Sequence, residues 1–184
     1  MKHPSSRGFF TYWDGKRGGA SAPDRSDIDP DAVRGLLGDM FVLSYDPATA
    51  YPFRFAGTRL CALFGRDVKE KSFPALFHAD SKSQIEEIIT AVAEETLPAV
   101  AGLTATSTHG ALAHLELLLL PFGTRTHTPV SLTGVLAPFD AVNGALSGLR
   151  LVSWRYLHEP QKIIPRAIRK LAIARGFMVY EGLR

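Results

Sequence analysis

One stretch constrains this chain more than any other: from Ala111 to Phe122 it reads as a β-strand that is apolar on both sides. Ala113, Leu115, Leu117 and Leu119 form one wholly apolar face, and Leu112, His114, Glu116, Leu118 and Leu120 form a second, mixed one that is too greasy to be bare. Such a strand needs cover on both sides of its sheet. For the mixed face two covers are open. One is a helix over residues 5–17, where Phe9, Phe10, Tyr12 and Trp13 stand at helical offsets; the other is a second subunit.

The remaining segments arrange themselves around this strand. Residues 18–24 are a loop by composition, and Asp29 reads as an N-cap with Pro30 at the first position of a short helix running through Leu37 to Gly38. Met40 to Tyr45 and Tyr51 to Ala56 read as a hairpin, with Tyr51, Phe53 and Phe55 alternating against Pro52, Arg54 and Ala56. Short helical pieces follow at Arg59 to Phe64 and Ser72 to Phe77. Asp80 or Ser81 then caps a longer helix with Ile85, Ile88, Ile89 and Val92 on one face, ending before Pro98. Val100 to Thr108 and Val130 to Phe139 flank the central strand in an antiparallel meander, the first joined to it through a His109-Gly110 turn. Asn143 to Gly148 reads as a linker, Leu149 to Leu157 as a strand or a helical turn, and Ile164 to Arg175 as a basic amphipathic helix. These segments divide into an N-terminal helical cap (1–38), a core (39–141) and a linker with a C-terminal extension (142–184).

At 184 residues the chain suits one domain, and 46% hydrophobic with 21% charged residues is a globular composition. The longest purely aliphatic run, Leu117 to Leu120, is far short of the roughly 20 residues of a membrane span, so no span is expected. The N-terminal residues lack the apolar stretch of a secretory signal, and the single cysteine, Cys61, has no internal partner; both fit the cytoplasm. Charge is polarised. Residues 1–149 carry 13 Lys and Arg against 16 Asp and Glu, whereas residues 150–184 carry 8 against 2. Arg166, Arg169 and Lys170 are therefore candidate anion contacts for nucleic acid, a nucleotide or acidic lipid, the alternative being a solvated helix face.

The element order is two strands, short helices, one long helix and three strands, and the stretch Phe53-Arg-Phe-Ala-Gly-Thr-Arg-Leu-Cys-Ala-Leu-Phe-Gly65 running on to Phe73 agrees with it, the second strand passing into a helix that ends at Phe64-Gly65. Over about residues 9 to 140, with Tyr12-Trp13-Asp14, the run Ala22 to Pro30 and Ala56-Gly57-Thr58-Arg59-Leu60, the chain resembles short bacterial single-domain proteins of the PAS family. The resemblance implies an α+β fold with a five-stranded antiparallel sheet, helices across one face, and a cavity between them. It also implies a sensory or adaptor role in bacterial signalling, a signalling protein partner, and homodimerisation through N-terminal helices and the outer sheet face. On that basis Phe9, Phe10, Trp13 and Leu118 are candidate dimer or partner contacts.

The chemistry points to binding and not to catalysis. Haem-holding members use a histidine on the long helix, and residues 80–97 contain none; flavin photosensors use an Asn-Cys-Arg setting, whereas Cys61 lies in Leu60-Cys-Ala-Leu63 and reads as a small buried hydrophobe. Neither cofactor is expected. His109 and His114 lack companions at metal-ligand spacing, so no metal is expected, and the hydrolase and nucleotide-loop motifs are absent. His78-Ala-Asp80 and His158-Glu159 are local acid/base pairs without a nucleophile. Phe53, Phe55, Phe64, Phe73, Phe77, His78, Ile88 and Leu115 are the candidates to line a cavity for a small ligand, being core residues first.

Overall fold

The computed structural model describes residues 1–123 and 130–157, together with the backbone of Arg169–Ala174 and Phe177–Glu181. Strands β1 (Met40–Ser44), β2 (Phe53–Ala56), β3 (Ala99–Ser107), β4 (Leu112–Pro121), β5 (Ser131–Pro138), β6 (Leu146–Tyr156), β7 (Arg169–Ala174) and β8 (Phe177–Glu181) form one sheet in the order β2-β1-β5-β4-β3-β6-β7-β8. Every pairing is antiparallel. β4 lies inside the sheet, with Leu117 opposite Ala101 on one neighbour and Leu136 on the other. The alternation of side chains then sends Leu115, Leu117 and Leu119 to the inner face and Leu118 and Leu120 to the outer one.

The expected five strands are present, and the sheet extends beyond them. Leu149 to Leu157 resolves as strand, and β6 starts at Leu146, inside the expected linker; Trp154 pairs with Ala101, and Leu146, Leu149 and Trp154 are buried in the inner core. A boundary at residue 141 therefore cuts through one hydrophobic unit. The expected basic helix is also corrected: Arg169 and Lys170 belong to β7, where Ile173 pairs with Trp154 and Ala172 with Arg155. The open edge of β6 supplies backbone partners there, and Leu171 and Ile173 carry a two-residue period alongside the helical spacing of Ile164, Ile168 and Leu171 in the sequence. Arg166 and His158 lie outside the described residues.

On the inner face, helix α2 (Thr58–Leu63), a 3₁₀ turn (Pro74–Leu76) and helix α3 (Ala79–Glu94) cover the sheet. Ile85, Ile88, Ile89 and Val92 of α3 are buried, following the predicted stripe. Its N-cap is His78 and not Asp80 or Ser81, because both of those are engaged with β6. Ser81 Oγ accepts the Leu151 N–H at 3.1 Å, Asp80 meets Arg150 at 3.1 Å, and the His78 N–H donates to Leu149 O at 2.8 Å. Four rings meet at the centre: Phe73 lies 5.4 Å from Phe41, 5.5 Å from Phe53 and 5.3 Å from Phe77 between centroids. The Phe41 ring crosses β5 at Gly134, where a Cβ would stand 2.6 Å from Phe41 Cζ and 2.1 Å from Leu118 O, so no larger residue fits. At the seam of β1 and α3, Tyr45 donates to Glu94; burial first and that hydrogen bond second hold its phenol above the ordinary range.

The outer face is covered by helix α1 (Pro4–Arg17), which packs on β4 and β5. Phe9 and Trp13 are wholly buried against Met40, Leu118, Leu120, Val135 and Ala137, and Trp13 Nε1 donates to Pro121 O at 2.9 Å. The cover is thus the chain's own helix. Residues 30–39 form successive turns instead of the expected helix, with Leu36 N–H on Val33 O at 2.8 Å and Asp39 N–H on Leu36 O at 2.9 Å. Gly35 and Gly38 weaken helix there, although the Asp29 carboxylate does accept the Asp31 N–H as a cap would. Because Phe73 touches three other rings, Phe73→Ala should cost about 3–5 kcal/mol of stability, read as a lowered urea midpoint in chemical denaturation.

Candidate functional site

Six of the eight candidate cavity residues come together. Phe53, Phe64, Phe73, Phe77, Ile88 and Leu115 are buried in one cluster between sheet and helices. Phe55 does not join them. Phe53 pairs with Leu43 and Phe55 with Val42, so Arg54 is an extra residue in a β-bulge; the bulge shifts the alternation, and Phe55 turns away from the core, 40% exposed. His78 also stays out of the interior, because its Nδ1 caps α3, accepting from the Asp80 N–H and lying 3.1 Å from Asp80 Oδ2.

Of the candidate dimer contacts, Phe9, Trp13 and Leu118 are corrected: folding itself buries all three. Phe10, stacked on Trp13 with centroids 6.1 Å apart, keeps partial exposure. Arg169 and Lys170 stand at register positions opposite Glu181 and Tyr180.

Two carboxylates hold α1 in place. Glu116, only 5% exposed on the outer face, accepts the Lys2 N–H at 2.7 Å and the His3 N–H at 3.0 Å, just ahead of the first turn of the helix. Those N–H groups lie at the positive end of the helix dipole, where a carboxylate is favoured. Asp39 takes a two-pronged contact from Arg59, 2.7 Å from Nε and 3.0 Å from Nη2, and its Oδ2 also accepts from Ser5 Oγ at 3.0 Å. Arg59 continues to Gly35 O at 2.9 Å, and Asp39 holds its guanidinium above its ordinary pKa. Three segments distant in sequence, α1, the turns before β1, and α2, thereby meet at one carboxylate. Sequence reasoning missed both groups as anchors. A signal existed for Glu116, a lone carboxylate on a strand face shared with Leu118 and Leu120, where burial requires hydrogen-bond donors. Gly57 belongs to the same seam: a Cβ there would stand 2.0 Å from Leu37 O.

A second feature lies at the edge of the sheet. Arg54, Phe55, Thr58, Cys61, Asp67 and Lys69 line an open groove of about 440 Å³ between β2, α2 and the following loop. Cys61 is partly exposed on this groove instead of buried in the core, with Sγ 3.9 Å from Asp67 Oδ1 and 4.0 Å from Ala56 O. Among the described residues no group of three His, Cys, Asp or Glu could hold a metal ion, and no helix is long and apolar enough to cross a membrane.

The antiparallel strand order β2-β1-β5-β4-β3, with a long helix across the inner face, is that of the PAS class of domains. A family model described as "PAS domain" matches residues 1–137, and the chain belongs to that family. Among solved structures, the chain is similar to a LOV protein of Rhodobacter sphaeroides at 15% identity and a TM-score of 0.44, over 54% of this chain. It spans 58% of that protein's length. No curated protein matches. If Glu116 anchors α1, Glu116→Ala should speed amide hydrogen exchange across residues 4–17 by about tenfold or more and leave α3 unchanged, while Glu116→Gln, which keeps an acceptor, should fall between.

Proposed function

We propose that this PAS protein is a non-catalytic adaptor of bacterial signal transduction, working in the cytoplasm and recognising a partner protein through its surface. The carrying observation is the ring cluster. Phe41, Phe53, Phe73 and Phe77 touch one another, each at most 4% exposed, in the space where PAS sensors hold a ligand. Packed rings favour recognition at the surface over recognition inside.

The titratable groups support the non-catalytic part, since each of those considered has a structural task. Glu116 and Asp39 hold α1, and His78 and Asp80 hold the start of α3. Haem and flavin play no part in the proposal, as α3 carries no histidine and Cys61 faces the groove. A homodimer remains part of the reading, moved to the apolar rim beside the start of α1, where Leu112 is 63% and Phe139 42% exposed.

Native mass spectrometry of the purified full chain tests this. Masses of whole subunits alone are expected, with the dimer lost in a Leu112→Glu, Phe139→Glu variant. A retained small molecule would overturn the adaptor in favour of a ligand sensor.

A further inference from the structure

The groove beside β2 has its own electrostatics. Residues 54–71 carry five cations, Arg54, Arg59, Arg66, Lys69 and Lys71, against Asp67 and Glu70, on a body that is net negative over residues 1–149. Arg59 is used by Asp39, and Asp67 lines the groove while exposed, its Oδ1 accepting the Lys69 N–H at 2.8 Å. Arg66, Lys69 and Lys71 are exposed and make no ion pair among the described residues. Arg54 and Lys69 line the groove beside Asp67, and Arg66 and Lys71 stand in the same loop, so cations outnumber carboxylates along this segment, and such a local field selects negative partners.

In the same groove lies an aromatic surface that the fold leaves wet. The bulge at Arg54 turns Phe55 out of the core and into the groove wall. The neighbouring loop protects β2 only in part: it bonds Phe53 on both sides, through the Phe53 N–H to Lys71 O at 3.0 Å and the Glu70 N–H to Phe53 O at 2.8 Å. β2 is also the terminal strand of the sheet, so beyond Phe53 an extended chain can approach Arg54–Ala56 alongside.

We infer that this groove docks an extended acidic segment of the partner protein, with an apolar side chain seated on Phe55 and carboxylates facing Lys69, Lys71 and Arg66. This rests on the adaptor reading and names the chemistry of its partner.

Cys61 makes the inference measurable, being the chain's single cysteine and lying in the groove wall. The probe is a synthetic peptide of about ten residues with Glu and Asp around a central Leu-Phe pair; the control replaces every acidic residue with Lys. Binding is followed by fluorescence anisotropy of the labelled peptide, and occupancy by the rate at which iodoacetamide alkylates Cys61 in the full chain. The acidic peptide should bind, weaken with added salt, and slow alkylation severalfold, while the lysine peptide does neither. Lys69→Glu with Lys71→Glu, both at exposed positions, should weaken binding about tenfold, and Phe55→Ser should do the same without changing the salt dependence. Unchanged alkylation with the acidic peptide, equal slowing by the lysine peptide, or slowing by inorganic phosphate alone would each overturn the inference, the last by making the groove a small-anion site. A retained small molecule in the native mass removes the adaptor reading whatever the peptide does, and whole-subunit masses with no peptide effect remove the groove alone.

Discussion

Leu115, Leu117 and Leu119 bury against the inner helices, and Leu118 and Leu120, out of phase with them on the same strand, bury against α1. Each fully buried leucine is worth about 1.5–3 kcal/mol relative to exposure, so neither face of β4 can be given up without cost comparable to a large part of a domain's net stability. That double burial sets the architecture. It places β4 in the interior of the sheet, requires α3 below and α1 above, and leaves the strands farther out to close the edges.

Burying the outer face brings polar groups with it, and they are handled in pairs. Glu116 would be a destabilising charge under α1 if nothing donated to it, and the N–H groups of Lys2 and His3 would be costly if nothing accepted from them; each resolves the other. Asp39, Arg59 and Ser5 do the same at the next turn of the helix. Apolar packing lets α1 slide, whereas these directional contacts fix its register. The helix is therefore positioned by two carboxylates and held by Phe9 and Trp13.

Much of this was legible in the residues. The two faces of β4, the stripe on α3 and the aromatic helix all follow from periodicity over long segments, where the signal accumulates. What escaped depends on single residues or on distant partners. The inward or outward turn of Phe55 hangs on one inserted residue, Arg54, which no alternation pattern reveals. β6 hides because Ser147, Gly148 and Arg150 interrupt its apolar run and Gly148 takes a φ of 60°; it becomes a strand because β3 offers an edge and α3 offers Ser81. The helical reading fails in the same way at Arg169–Ala174, where the edge of β6 decides the outcome, while Ile164 and Ile168 lie outside the described residues. The roles of Glu116 and Asp39 need partners 113 and 34 residues away, a distance at which local pattern is silent.

The seating of α1 also bears on how the protein can be divided. Met40, Leu118, Leu120, Val135 and Ala137 form one strip whose shelter is α1. A fragment cut after residue 38 would present that strip to solvent beside an unanswered Glu116, the kind of surface that sticks to its own copies. At the other end, Leu146, Leu149 and Trp154 of β6 close the inner core past residue 137, where the family match stops. The smallest piece that is whole in the chemical sense therefore runs from the residues just before α1 through β6, and the short first helix belongs to the interior as much as any strand does.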